Sequence, residues 1–150
     1  SMSRKWYNNK VPNNEKSNND NRLKLYSRKI VENYINHMNL YKLDLAAKDV
    51  LSLAIETNLY LNDNQPWTLI KEEKNISIVS NIIYNVLEST RIIGLLLLPL
   101  LPDLSASINF QLGSMYDEKS SWSEQLKWGK LINNSTLPVP TPIINKLEYE

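Results

Sequence analysis

His37 is the single histidine of the chain, and Glu72-Glu73 and Asp117-Glu118 are its adjacent acidic pairs. A catalytic base needs a partner that orients it, and paired carboxylates work across a cleft. No carboxylate pair or second ligand lies at matching helical spacing from His37. Both acidic pairs fall in expected turns, where carboxylates are ordinarily solvated. The absence of cysteine excludes disulfides and thiolate zinc sites, and one histidine excludes a multi-histidine metal site. The three glycines, Gly94, Gly113 and Gly129, are isolated, which excludes a glycine-rich phosphate loop and a dinucleotide fingerprint. Aromatic and basic chemistry remains. Arg4-Lys5-Trp6-Tyr7 is a cluster of the type that binds single-stranded RNA. Trp67 directly follows Pro66 at a corner, where an indole is either tucked into the core or presented. Apolar periodicity favours tucking. A presented ring beside cations would be a stacking platform for an unpaired base, worth roughly 1–3 kcal/mol.

The elements that must position these groups are helical. With 150 residues, 42% hydrophobic and 22% charged, the chain fits one folded domain. Its net charge of +1 hides an asymmetry: nine basic against three acidic residues up to Lys42, then eight against thirteen from Leu43 onward. That pattern suits either one positive face presented to an anionic partner or a solvated basic arm. Twenty asparagines alongside Lys, Ile and Tyr point to AT-rich coding as one source of the bias. The polar N-terminus lacks the apolar run of a secretory signal. The apolar block Ile92–Leu101 is far shorter than the roughly 20 residues of a membrane span, so a soluble, cytoplasmic protein with no membrane partner is expected.

Residues 1–21 read as the end of a truncated first helix followed by a flexible, Asn-rich loop. Leu23, Tyr26, Ile30, Tyr34 and Met38 recur at helical spacing, with Asp20 or Asn21 as cap and Lys24, Arg28 and Lys29 on the outer face. Tyr41 to Asn62 is a second helix with Leu43, Ala47, Val50, Ala54 and Leu61 on one side, and Asn58 falls on that apolar face. Asn62-Asp63-Asn64-Gln65-Pro66 stops it, because proline disfavours helical geometry in the residue before it. Ile76 to Leu98, apolar nearly all round, is expected to be the longest and the central helix, broken by Pro99 and Pro102. A short helix follows to Leu112, closed by Gly113 as a left-handed cap. Residues 114–150 read as a short helix, Trp122–Trp128, and an extended tail through Pro138, Pro140 and Pro142. The fold class is all-α, an antiparallel helix bundle over 22–113 with an extended proline-rich C-terminal tail.

Residues 57 to 71, Thr-Asn-Leu-Tyr-Leu-Asn-Asp-Asn-Gln-Pro-Trp-Thr-Leu-Ile-Lys, resemble the helix-end signature A-N-x-Y-[IVL]-[DN]-x-x-x-P-W-x-L-x-K of bacterial-type methionyl-tRNA synthetases. Ser-Met-Ser-Arg-Lys-Trp at the start is similar to the end of that family's first anticodon-domain helix. Residues 84 to 102 resemble its long central helix, and Leu-Lys-Trp-Gly at 126 to 129 its closing L-x-W-G segment. The matches occur in order and span nearly the whole chain except the Asn-rich loop.

The resemblance implies an anticodon-binding domain of the class I synthetase type over 1–150. It makes Trp67 the platform for the first anticodon base of methionine tRNA, with Pro66 shaping the corner, against the periodicity. Asn58 takes a supporting role that orients the corner. The family's basic anticodon contact carries over to Arg4 or Lys5, and its asparagine position falls upstream of Ser1. The H-I-G-H and K-M-S-K-S patterns do not occur, so the chain is expected to bind RNA without charging it and to need no cofactor. The parent enzyme would join methionine to its tRNA with ATP and magnesium, on a catalytic domain of the same chain. The rival is a helical protein–protein adaptor, which requires the Trp67 ring in the core.

Overall fold

The computed structural model of the chain describes residues 2–13, 20–114 and 116–138. The Asn-rich loop at 14–19 and the tail beyond Pro138, with Pro140 and Pro142, lie outside the described residues. Helices α2 (Arg22–Asn39) and α3 (Leu43–Asn64) form a hairpin. Arg22 at the start of α2 bonds Glu56 and Asp63 late in α3, while His37 near its end meets Asp49 early in α3, so the two run antiparallel. The turn is a Schellman motif: Tyr41 takes a left-handed φ of 58°, Tyr41 N–H donates to Met38 O and Lys42 N–H to His37 O. Of the two expected caps on α2, Asp20 accepts from Arg22 N–H at 3.3 Å, and the Asn21 side chain makes no cap bond.

Helix α5 (Ile76–Leu96) lies across both, antiparallel to α3. Asn85 reaches Tyr60 Oη at 3.1 Å, and Ser89 reaches Thr57 at 2.7 Å. Tyr34 Oη donates to Leu96 O at 2.7 Å, tying in α2. Helix α5 is central, as expected, but α3 with 22 residues is longer than α5 with 21. Pro102 opens α6 (Pro102–Gln111), which folds back along α5. Gly94 permits that approach: a Cβ there would sit 2.6 Å from Asn109 Oδ1 and 2.9 Å from Ile108 Cγ2. Gly113, at φ 64°, closes α6 in a second Schellman motif through Ser114 N–H to Asn109 O, as the sequence predicts.

Two expectations about helix faces fail. Helix α3 buries Ala46, Val50, Leu53, Thr57 and Tyr60, and leaves Leu43, Ala47, Leu51 and Ile55 exposed. The helix carries two apolar stripes, and periodicity alone does not choose between them. Asn58 is exposed, not on the buried face, and among the described residues its side chain makes no hydrogen bond. The helix expected over Trp122–Trp128 is limited to α7 (Trp122–Gln125), capped by Ser121 Oγ accepting from Glu124 N–H.

The segment after α7 is clamped by a buried ion pair on α5. Glu88 and Arg91 are 0% and 2% exposed. The Glu88 carboxylate accepts from Arg91 and from the backbone N–H groups of Gly129, Lys130 and Leu131. Arg91 donates onward to Gln125 O and Lys127 O. Farther along, Lys10 and Thr136 form an isolated antiparallel bridge, with Val11 N–H donating to Ser135 O and Leu137 N–H to Asn9 O. Val11, Tyr84, Leu131 and Leu137 make the small core beneath it.

Candidate nucleic-acid interface

The corner at the end of α3 is built from one strained residue and one proline. Gln65 adopts a left-handed conformation, φ 45° and ψ 60°, as the proline after it disfavours a helical continuation. Its N–H still closes α3 on Leu61 O, while its own carbonyl accepts from Thr68 and Leu69 N–H and starts α4 (Pro66–Leu69). Pro66 occupies the first position of α4, where its missing N–H costs nothing, and its side chain is buried. The next side chain then projects from the corner. Trp67 is 40% exposed. The tucked placement that periodicity favours is therefore not adopted, because the reversal at Gln65 takes Trp67 off the buried stripe of α3.

Rigidity behind the corner comes from Tyr60, which is 1% exposed and packs with Leu23 and Ile82, flanked by Leu61 and Leu69. Its hydroxyl donates to Asp20 at 2.5 Å and accepts from Asn85, and Arg22 lies 5.9 Å above its ring. Burial first, and the bond to Asp20 second, raise the phenol's pKa. Asn64 Nδ2 donates back to Tyr60 O at 2.8 Å, so Asn64, not Asn58, bonds the last turn of α3.

Helix α1 (Met2–Tyr7) brings the second cluster to the corner. It sits over a small apolar pocket of 260 Å³ lined by Met2, Ser3, Leu61, Ile83, Val86 and Leu87. Ser3 Oγ donates to Lys10 O, and the Tyr7 hydroxyl meets Ser80 Oγ at 3.1 Å on α5. Tyr7, held off water by burial, has its pKa raised. The outcome is an open cleft of 640 Å³ lined by Met2, Arg4, Lys5, Trp6 and Trp67. Two aromatic rings and two exposed cations, from segments about sixty positions apart, share one concavity. Neither Arg4 nor Lys5 is within ion-pair distance of a carboxylate among the described residues. Rings and cations so placed have the chemistry to stack bases and attract phosphates, and no acid or base pair among the lining residues is poised for proton transfer.

Away from the cleft, the histidine is structural. His37 Nδ1 lies 2.5 Å from Asp49 Oδ2 and joins α2 to α3. That partner is on a different helix, which spacing along α2 does not reveal. No group of three or more His, Asp or Glu able to hold a metal occurs among the described residues. No described helix is long and apolar enough to cross a membrane.

Comparison with known proteins agrees with this geometry. The family described as the anticodon binding domain of methionyl tRNA ligase matches residues 11–150. The chain belongs to that family. The methionine–tRNA ligase of Lactococcus lactis is 33% identical over 125 residues, covering 81% of this chain and 19% of its own length. That of a Nostoc species is 36% identical over 104 residues, covering 66% and 19%. The apo form of Mycobacterium tuberculosis methionyl-tRNA synthetase shares the fold across 100% of this chain and 30% of its own, with a TM-score of 0.87 at 24% identity. The chain thus spans about a fifth of the curated relatives it matches. The all-α anticodon-binding fold inferred from residues 57–71 and 84–102 is confirmed.

Sequence reasoning named Trp67, Pro66, Asn58, Arg4 and Lys5; the structure brings Trp67, Arg4 and Lys5 to one cleft with Pro66 buried behind, and leaves Asn58 outside the lining. It missed the part played by Met2 and by the Glu88–Arg91 clamp. The available signal for the clamp was an acid and a base three apart inside an otherwise apolar helix.

Proposed function

We propose that this chain recognises the anticodon loop of a methionine tRNA as the anticodon-binding domain of a methionine–tRNA ligase. Trp67 is the stacking platform for an anticodon base, Pro66 fixes the corner that presents it, and Arg4 and Lys5 contact the loop. Asn58, exposed on α3 two turns before Gln65, lies outside the cleft lining and makes no bond to the corner among the described residues, so the orienting role passes to Asn64. The ligation of methionine to tRNA with ATP and magnesium belongs to a catalytic domain of the parent chain in the cytoplasm. The observation that carries this reading is the convergence of Trp67, Trp6, Arg4 and Lys5 on one cleft. A helical adaptor would bury the indole, and it is 40% exposed.

Titration with a methionine anticodon stem-loop tests it. Loss of one base stack in Trp67→Ala should weaken binding roughly 5- to 150-fold, and Trp67→Phe should recover part of that. Affinity should fall with salt, and Arg4→Gln/Lys5→Gln should flatten that dependence by about 1.4 in log–log slope, from two single-strand phosphate contacts. Equal binding by Trp67→Ala and the parent chain would refute the stacking role.

A further inference from the structure

A second groove runs along the outer face of α2, with a volume of 380 Å³ and walls that include Lys24, Arg28, Val31, Lys127 and Trp128 and one acid, Glu32. Lys24 and Arg28 are four residues apart, about 6 Å along the helix axis, so they form a positive ridge on one wall. Lys127 stands on the other. Lys24 has no carboxylate within ion-pair distance among the described residues. Arg28 is 3.8 Å from Glu32, and Lys127 is paired with Glu124. All four of those side chains are solvent-exposed, and exposed pairs of this kind hold their partners weakly enough to yield to a phosphate.

Two further observations make this more than a basic surface. The Trp128 wall is fixed in place by the buried Glu88–Arg91 pair, through bonds to Lys127 O and to the Gly129 and Lys130 N–H groups on either side of it. A buried ion pair is costly in desolvation, and its role here is to hold one chain segment against α5. The same Trp128 packs against the cluster of Leu23, Tyr60 and Ile82, as does Leu69 of the corner helix. The groove is therefore one cluster away from the Trp67 cleft.

We infer that this groove is a second RNA contact, in which Lys24, Arg28 and Lys127 take the sugar–phosphate backbone of the strand whose loop lies at Trp67. The inference rests on the function proposed above. An acidic peptide is the competing ligand for a basic groove. RNA is favoured because Trp128 of the groove and Leu69 of the corner helix pack on the same cluster, and because a ridge of single cations matches a backbone of single charges.

The test measures binding of the 150-residue chain to three probes: the methionine anticodon stem-loop, the single-stranded loop alone, and a polyglutamate peptide. Lys24→Gln/Arg28→Gln alters two exposed side chains and leaves Trp67 untouched. The expected result is stem-loop affinity reduced about tenfold, a salt slope smaller by about two, and unchanged affinity for the isolated loop. If the double variant holds the stem-loop as tightly as the parent chain and with the same slope, the groove is not an RNA contact, while the Trp67 reading stands. Polyglutamate binding that depends on Lys24 and Arg28, with stem-loop binding unchanged, assigns the groove to an acidic peptide and overturns the inference. Failure of the parent chain to bind either RNA overturns both readings.

Discussion

Glu88→Gln is the substitution for which the structure supports the fullest estimate. The side chain keeps its shape and one acceptor oxygen but loses its charge. Arg91, 2% exposed, is then left with only the Gln125 and Lys127 carbonyls as strong acceptors. Removing one partner from a buried pair costs about 3–5 kcal/mol, against a total of about 5–15 kcal/mol for a domain. At roughly 2–4 °C per kcal/mol for a chain of this size, the melting temperature should fall by about 6–20 °C. Urea unfolding followed by tryptophan fluorescence measures the loss. Hydrogen exchange at Gly129, Lys130 and Leu131 N–H should accelerate most, because Glu88 is their acceptor. Since the two residues act as one unit, Glu88→Gln/Arg91→Gln should cost less than the sum of the single changes, with a coupling of about 1–3 kcal/mol. A loss under about 1 kcal/mol, or strict additivity, would refute the view that this pair holds the C-terminal segment.

Other perturbations follow from the same packing. Gly94→Ala places a methyl 2.6 Å from Asn109 Oδ1 and 2.9 Å from Ile108 Cγ2, and should cost about 1–3 kcal/mol in a thermal melt. Shortening the clashing side chain in Gly94→Ala/Asn109→Ala should return part of it. At high pH, Tyr34 and Tyr84, both pushed up to about 12 mainly by burial, remain neutral in the fold. The unfolded chain ionises them near 10. The stability they support is therefore complete below pH 10 and lost as pH rises through 12, and phenolate absorbance should show these two tyrosines titrating with unfolding.

Much of this molecule is written in local sequence. The stop at Asn62–Pro66, the Gly113 cap and the break at Pro99–Pro102 are chemical facts about single residues, and each lies where the sequence puts it. The face of α3 was not legible, since Leu43, Ala47, Leu51 and Ile55 are as apolar as the residues it buries. Asn58 was misplaced for the same reason. The exposure of Trp67 depends on the left-handed turn at Gln65, one residue that periodicity treats as a continuation of the helix. The cleft itself needs Arg4 and Lys5 beside Trp67, a contact between distant segments that no spacing rule along the chain contains. Resemblance to the family pointed to that pairing, and packing of α1 over Leu61, Val86 and Leu87 supplies its physical reason.

The indole of Trp67 is the centre of the account, and nuclear magnetic resonance of the four tryptophan side chains observes it directly. On addition of the methionine anticodon stem-loop, the Trp67 ring protons should move upfield under the ring current of a stacked base, while Trp122, half-buried against Tyr34, stays in place. The same stem-loop with an abasic site at the stacked position should leave Trp67 unshifted. Saturating RNA that leaves the Trp67 resonances where they were would contradict the account.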